Sequence, residues 1–323
     1  MKKYTNIKGL IKSLEKLLEK DCELIPKKWT QVVRKFPNND GTIPSKNFIL
    51  DYLKKHNIKV KKEILEAIKM KPTRTISGVT PITIFTKPYK CSGNCIFCPT
   101  SSKTPKSYLL EEPGIQRAAT LKYQPYNQVK SRILALEAIG HNTDKIELII
   151  SGGTWDDYNL NYRIWYIMEV FRALNGLSSI DYKPKKNYEE NLNELRDLQE
   201  QNTVAKKRNV GICIETRPDK ITVKNLKQYK IFGVTKVQLG VQTLNEKILK
   251  ANSRGHSREK VFKAIELLRL LGVNIHIHWM CNLYKSNLKL DYEDFKEIFT
   301  NERAKPDEIK MYPCSLVGGI ELY

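Results

Sequence analysis

Val79-Thr80-Pro81-Ile82-Thr83-Ile84-Phe85, a β-branched run, leads within a few residues into Cys91-Ser92-Gly93-Asn94-Cys95-Ile96-Phe97-Cys98-Pro99. The first segment has the composition of a strand, and the second is a loop that gathers three thiols. Strand-like runs recur downstream at Lys145–Ser151, Val210–Glu215, Lys236–Val241, Asn274–Met280 and Glu308–Tyr312. Between them, apolar residues take helical spacing around Ile115–Ile139, Tyr162–Leu174, Glu189–Lys207, Val223–Tyr229, Arg258–Leu271 and Tyr292–Phe299. Six strands alternating with helices predict an α/β fold of parallel strands joined by right-handed crossovers. Six units are too few to close an eightfold barrel, so a partial (βα)6 TIM-like barrel is expected, with its chemistry at the C-terminal ends of the strands.

Residues 1–71 read differently, as a small basic helical domain ahead of a barrel over 72–323. Leu10, Leu14, Leu17 and Leu18 form one helical stripe, and a second helical stretch runs from Ser45 to Met70. Pro26, Pro37 and Pro44, with Asn38, Asn39 and Gly41, are breakers, and Lys71-Pro72 marks the boundary. Within the barrel, residues 183–208 are expected to form one exposed, charged helix.

The chain carries 56 Lys and Arg against 35 Asp and Glu, a net charge of +21. Residues 1–76 hold 19 of the cations and 8 of the anions, about half of the excess in under a quarter of the length. That concentration favours a polyanionic partner, nucleic acid above all, over lysines scattered for solubility. A hydrophobic content of 41% suits a globular protein. No apolar run approaches the ~20 residues needed to cross a bilayer, and the N-terminus lacks the apolar core and cleavage site of a signal peptide. A cytoplasmic protein is expected. Seven cysteines without an export signal argue against a disulfide framework and for metal or cluster ligands.

Thiolates are natural ligands of iron–sulfur clusters, and the Cys91, Cys95, Cys98 spacing lets one loop wrap several irons. Three cysteines leave one iron of a [4Fe–4S] cluster without a protein ligand. Such an iron suits chelation by the amino and carboxylate groups of S-adenosylmethionine, and reduction then cleaves the sulfonium to a 5′-deoxyadenosyl radical. Phe97 is placed to cover the cluster or the adenine. The alternative is a zinc knuckle, which would want a fourth ligand nearby. None of Cys22, Cys213, Cys281 and Cys314 is paired at ligand spacing.

The cysteine motif resembles that of the radical S-adenosylmethionine superfamily residue for residue, and Ser151-Gly152-Gly153-Thr154 looks like its glycine-rich element, whose backbone meets the methionine amine. Over roughly residues 70–323 the chain further resembles the catalytic subunit of Elongator. The matching stretches, in the family's order, begin with Arg74-Thr75-Ile76-Ser77-Gly78-Val79, Tyr126-Asn127-Gln128-Val129-Lys130 and Gly140-His141-Asn142-Thr143-Asp144-Lys145-Ile146-Glu147-Leu148. They continue with Ile214-Glu215-Thr216-Arg217-Pro218-Asp219, Leu239-Gly240-Val241-Gln242-Thr243, Asn252-Ser253-Arg254-Gly255-His256 and Lys310-Met311-Tyr312-Pro313.

The resemblance implies cofactor contacts as well as a substrate. Glu215 and Gln242, at strand ends, would meet ribose hydroxyls, and Arg254 would fork onto the methionine carboxylate; rim packing or an ion pair is the plain alternative for each. Arg217 would orient substrate or brace the barrel, and His256 would bind phosphate or cap the next helix. His276 and His278 share one strand face, and His278 matches a family histidine. The family acts on the tRNA wobble uridine with acetyl-coenzyme A as donor, giving a carboxymethyl-type product at uracil carbon 5. The basic N-terminal segment stands where the family binds tRNA, with Trp29, Tyr52 and Lys59-Val60-Lys61-Lys62 as candidate contacts.

Two stretches depart from the family. His278-Trp279-Met280-Cys281-Asn282-Leu283-Tyr284 puts Asn282 where a carboxylate near the ribose is usual, and Trp155-Asp156-Asp157-Tyr158 replaces an apolar, proline-containing turn. The family also continues into an acetyltransferase domain, while this sequence stops at Tyr323. A fragment, an acetyltransferase partner in trans and a stand-alone variant all fit. Two rival roles stay open beside the enzyme: a non-catalytic iron–sulfur tRNA-binding subunit, and a radical enzyme with another substrate, such as a relative of the coproporphyrinogen oxidases.

Overall fold

A computed structural model describes residues 6–20, 24–38, 40–181, 188–318 and 320–322. They fall into two compact units, one drawn from Met1–Thr80 and Ser131–Lys145, the other from Pro81–Lys130 and Ile146–Tyr323.

The first unit contains helices α1 (Ile7–Lys20), α2 (Leu24–Val33), α3 (Lys46–Lys55) and α4 (Lys62–Ile68). Their apolar stripes meet in one core, where Ile7, Leu10, Leu14, Ile49, Ile64 and Ile68 are fully buried and Leu17 and Leu18 pack at its edge. Each such side chain is worth ~1.5–3 kcal/mol. Pro26 does not break a helix. It lies in the first turn of α2, where a missing N–H breaks no helical bond. The continuous helix expected from Ser45 to Met70 is instead two, α3 and α4. Asn57 adopts φ +50°, and Ile58 N–H reaches back to Leu53 O at 2.9 Å while Asn57 N–H reaches Lys54 O at 3.2 Å. This pair of bonds is a Schellman stop, with Asn in the place glycine usually takes.

The second unit is built on a six-stranded sheet in the order β1 (Thr80–Phe85), β2 (Lys145–Ser151), β3 (Arg208–Thr216), β4 (Val234–Gln242), β5 (Asn274–Cys281), β6 (Glu308–Pro313). The registers Glu215↔Gln238, Gln238↔His276 and His276↔Glu308 are parallel. Helices α5 (Pro113–Thr120), α6 (Pro125–Ala138, whose residues from Ser131 on belong to the first unit), α7 (Leu160–Leu174), α8 (Tyr188–Thr203), α9 (Val223–Phe232), α10 (Glu246–Ala251), α11 (Arg258–Leu271) and α12 (Leu288–Thr300) make the crossovers. The expected partial barrel is therefore the fold observed. Along β4, Val237, Leu239 and Val241 are buried, and the alternate residues face the concave side. Lys236 shows the curl. Its ammonium reaches Glu147 of β2 at 3.2 Å and Glu308 of β6 at 2.7 Å, strands that are not its neighbours.

Two helical expectations change. The segment Ile115–Ile139 is split, because Tyr123 N–H bonds Ala118 O at 2.7 Å and Lys122 N–H bonds Ala119 O at 2.9 Å, again a Schellman stop. Lys122 and Tyr123 both have positive φ, and Pro125 then starts α6. The charged insert is not a solvated helix either: α8 buries Leu192, Leu195 and Leu198 and packs on α7. Residues 183–187 of that segment lie outside the described residues.

Candidate functional site

At the end of β1, the Gln128 side chain accepts from Phe85 N–H at 2.9 Å and donates to Phe85 O at 2.8 Å, pairing the backbone as a neighbouring strand would. The chain then enters the cysteine loop. Cys95 is buried, while Cys91 and Cys98 are half-buried. Cys91 Sγ lies 3.4 Å from Thr154 Oγ1 and accepts from Gly93 N–H at 3.3 Å. Thus the loop after β1 touches the turn after β2.

That turn needs its glycines. Gly152 and Gly153 have φ of +131° and +92°, a region costly for any side chain. A Cβ on Gly152 would stand 2.0 Å from Thr86 Oγ1. Gly152 N–H points to Glu215 Oε2 at 3.5 Å, and Tyr108 OH donates to the same oxygen at 2.8 Å. Burial pushes the Glu215 carboxyl up from its ordinary value.

Two guanidinium groups converge on Cys95 Sγ, Arg254 Nη1 at 3.0 Å and Arg217 Nη1 at 3.7 Å. Burial first, then the neighbouring Cys95, pushes the Cys98 thiol up to about 12, so binding a metal there would release its proton. Arg254 also donates to Gly240 O and lies 5.9 Å from the Phe97 ring centroid; Phe97 covers the guanidinium. Burial and then the Lys310 charge hold the His278 imidazole down at about 3, neutral at physiological pH.

One cavity is lined by Cys91, Cys95, Cys98, Gly153, Thr154, Glu215, Gln242 and Arg254, with Gly152 attached through its bond to Glu215. The nine residues expected to hold the cluster and its cofactor are therefore in one place. The donor set fits a cluster and its cofactor. Three thiols share one loop and line the one cavity. Gln242 Oε1, Arg254 Nε and His278 Nε2 are buried without hydrogen-bond partners. Each such orphan costs ~1–3 kcal/mol, which a polar ligand would relieve.

The other candidates are held by contacts of their own. Arg217 lines the same cavity, bonded to Asp219 at 2.9 Å and to Arg254 O at 2.6 Å. Ser257, rather than His256, caps α11 by accepting from Lys260 N–H. His276 turns to Glu308 at 3.1 Å. Asn282 is exposed at φ +60°, a conformation asparagine tolerates, and its N–H is held by Asp291 at 2.7 Å. In the first unit, Trp29 and Tyr52 pack half-buried on the core, whereas Lys59, Lys61 and Lys62 are exposed. Sequence reasoning missed Tyr108, whose partner Glu215 is 107 residues away, and shows Asp156 and Asp157 only as a departure from the family's turn.

Asp156 and Asp157 form a 3-10 turn with Trp155. Asp156 is bonded to Arg163 at 2.9 Å, to Thr216 Oγ1 at 2.7 Å and to Tyr229 OH. The turn that follows the glycines is thereby fixed to α7, β3 and α9.

Known proteins resemble this chain over most of its length. The tRNA uridine(34) acetyltransferase of Methanocaldococcus infernus is 40% identical over 286 residues, which cover 87% of this chain and 51% of that protein. Elongator complex protein 3 of Homo sapiens is 32% identical over 275 residues, covering 81% and 48%. The solved structure of archaeal Methanocaldococcus infernus Elp3 with an N-terminal deletion (1–46) matches with a TM-score of 0.61 at 35% identity, over 76% of this chain and 48% of that one. The chain spans about half the length of the relatives it matches. The sequence profile of the Radical SAM superfamily matches residues 85–298, from the end of β1 into α12. With the profile spanning cysteine loop, glycine turn and strand-end residues alike, the chain belongs to the radical SAM superfamily.

Proposed function

We propose that this protein acts on the wobble uridine of tRNA as a radical S-adenosylmethionine enzyme, and that acetyl-coenzyme A is the donor. Cys91, Cys95 and Cys98 would hold the [4Fe–4S] cluster, and Gly152, Gly153 and Thr154 would bind the methionine amine through backbone groups. Glu215 and Gln242 would take the ribose hydroxyls, and Arg254 the methionine carboxylate. The chemistry such a pair supplies when bound is one-electron cleavage of the sulfonium to a 5′-deoxyadenosyl radical, directed through the acetyl group to a carboxymethyl-type substituent at uracil carbon 5.

The observation that carries this reading is the convergence of these nine residues at the strand ends. The names of the relatives support the substrate, tRNA uridine in position 34. The excess of cations over residues 1–76 supports a phosphate-backbone partner. An acetyltransferase domain or subunit would present the acetyl group, and a cytoplasmic site goes with tRNA as substrate. Among the described residues no helix is long and apolar enough to cross a membrane.

The test is anaerobic reconstitution with dithionite, S-adenosylmethionine, acetyl-coenzyme A and tRNA, followed by nucleoside mass analysis. A carboxymethyl-type uridine is expected once an acetyltransferase partner is supplied. Cofactor cleavage without any change in tRNA would point to another substrate. An intact cluster without cleavage would point to a non-catalytic tRNA-binding subunit.

A further inference from the structure

Asp157 stands in the 3-10 turn directly after Gly152-Gly153-Thr154, and its side chain is 9% exposed. One carboxylate oxygen, Oδ2, accepts from both Ser92 N–H at 2.8 Å and Ser92 Oγ–H at 3.1 Å. The other, Oδ1, pairs with Lys220 Nζ at 2.7 Å. Ser92 follows Cys91 in the chain, and Thr154 in turn touches Cys91 Sγ. The far end of the loop is held separately, by Ile96 N–H on Asn252 O at 3.4 Å. Asp157 itself rests on a fixed base, because its N–H bonds Thr154 O at 3.1 Å and its neighbour Asp156 is bonded to Arg163, Thr216 and Tyr229.

The geometry points to Asp157 as a positioning residue: its carboxylate latches the Cys91 end of the cysteine loop to the glycine turn and places a negative charge beside the cluster. This rests on the cluster reading above and adds to it a residue that no motif assigns. An ordinary surface ion pair would use one oxygen and leave the loop backbone to water. Here both oxygens are engaged and the backbone N–H beside a ligand cysteine is one of the partners. A charge-assisted bond to a backbone N–H is among the stronger hydrogen bonds. The latch therefore resists opening of the loop, and the charge disfavours adding an electron to the cluster.

The test uses the full chain, reconstituted anaerobically with iron and sulfide, as wild type, Asp157→Ala, Asp157→Asn and Lys220→Met. Iron per chain, the rate of iron transfer to a ferrous chelator and the reduction midpoint by EPR titration are read for each. Asp157→Ala is expected to load a full cluster and release iron about tenfold faster, the change that ~1.4 kcal/mol produces. Asp157→Asn keeps an oxygen for Ser92 N–H, so release returns to within about twofold of wild type, while its midpoint moves positive. Lys220→Met keeps the latch and its slow release. The idea is overturned if Asp157→Ala matches wild type in both rate and midpoint. It is equally overturned if Asp157→Asn releases iron as fast as the alanine variant with an unmoved midpoint. Should Asp157→Ala fail to fold, the Asn midpoint alone decides. Failure of the cluster reading is separate, because wild type would then take up no four-iron cluster.

Discussion

Replacing Asp156 with alanine should destabilise the second unit by about 4 kcal/mol, the scale for stranding one member of a buried ion pair. The Asp156 side chain is fully buried and that of Arg163 is 6% exposed. Burial pushes the Asp156 carboxyl up from its ordinary value, against the opposing pull of Tyr229, Thr216 and Arg163. Alanine removes all three bonds and leaves the Arg163 guanidinium, whose Nε already has no partner, without its counter-charge. Broken buried pairs cost ~3–5 kcal/mol, whereas replacing the whole pair by apolar groups of similar size is often neutral. The assay is urea unfolding followed by the fluorescence of Trp155, which is packed against Tyr166 and Phe232. Asp156→Ala should show the full loss, and the double variant Asp156→Leu with Arg163→Met should regain most of it. A loss below ~1 kcal/mol in the single variant would mean that the carboxylate does not anchor the turn, and the reasoning would fail.

Gly152→Ala should cost about 3 kcal/mol, from a glycine-only φ and a Cβ 2.0 Å from Thr86 Oγ1. Thr86→Ala should rescue only part of this loss in urea unfolding; complete rescue would show that backbone strain plays no part. Asp294 accepts from Thr243 Oγ1 and from Leu244 N–H at 3.1 Å, and burial raises its carboxyl to about 6 from 3.8. Its folded value lies above the unfolded one, so its stabilising contribution is full below pH ~4 and lost as pH rises through ~6, a change of about 3 kcal/mol. Between pH 4.5 and 7.5, Asp294→Asn should gain stability relative to wild type by much of that amount, and equal pH profiles would refute the linkage. For the exposed Lys59, Lys61 and Lys62, a triple Gln variant should lower the salt slope of tRNA binding by about 2. An unchanged slope would take these lysines off the phosphate path.

The strands were readable because each is a β-branched run, such as Ile146-Glu147-Leu148-Ile149-Ile150, whose burial needs no knowledge of its neighbours. The cysteine loop was readable because its chemistry lies in local spacing. Helix ends at Asn57 and Lys122 were not: the left-handed stop is usually a glycine, and a lysine in that place looks like helix continuing. Leu192, Leu195 and Leu198 were hidden among the charges of α8, so a packed helix looked like a solvated one. Tyr108, Asp156 and Asp157 act through partners on other elements, and nothing in the residues beside them announces those partners.

The most direct test of the central claim is 5′-deoxyadenosine released per chain after anaerobic reconstitution and dithionite reduction, wild type against Cys95→Ala, with iron measured in both. Wild type should carry four irons on Cys91, Cys95 and Cys98 and release 5′-deoxyadenosine, and the variant should lose both cluster and release. Unchanged iron in Cys95→Ala, or a fully loaded wild type that releases none, would contradict it.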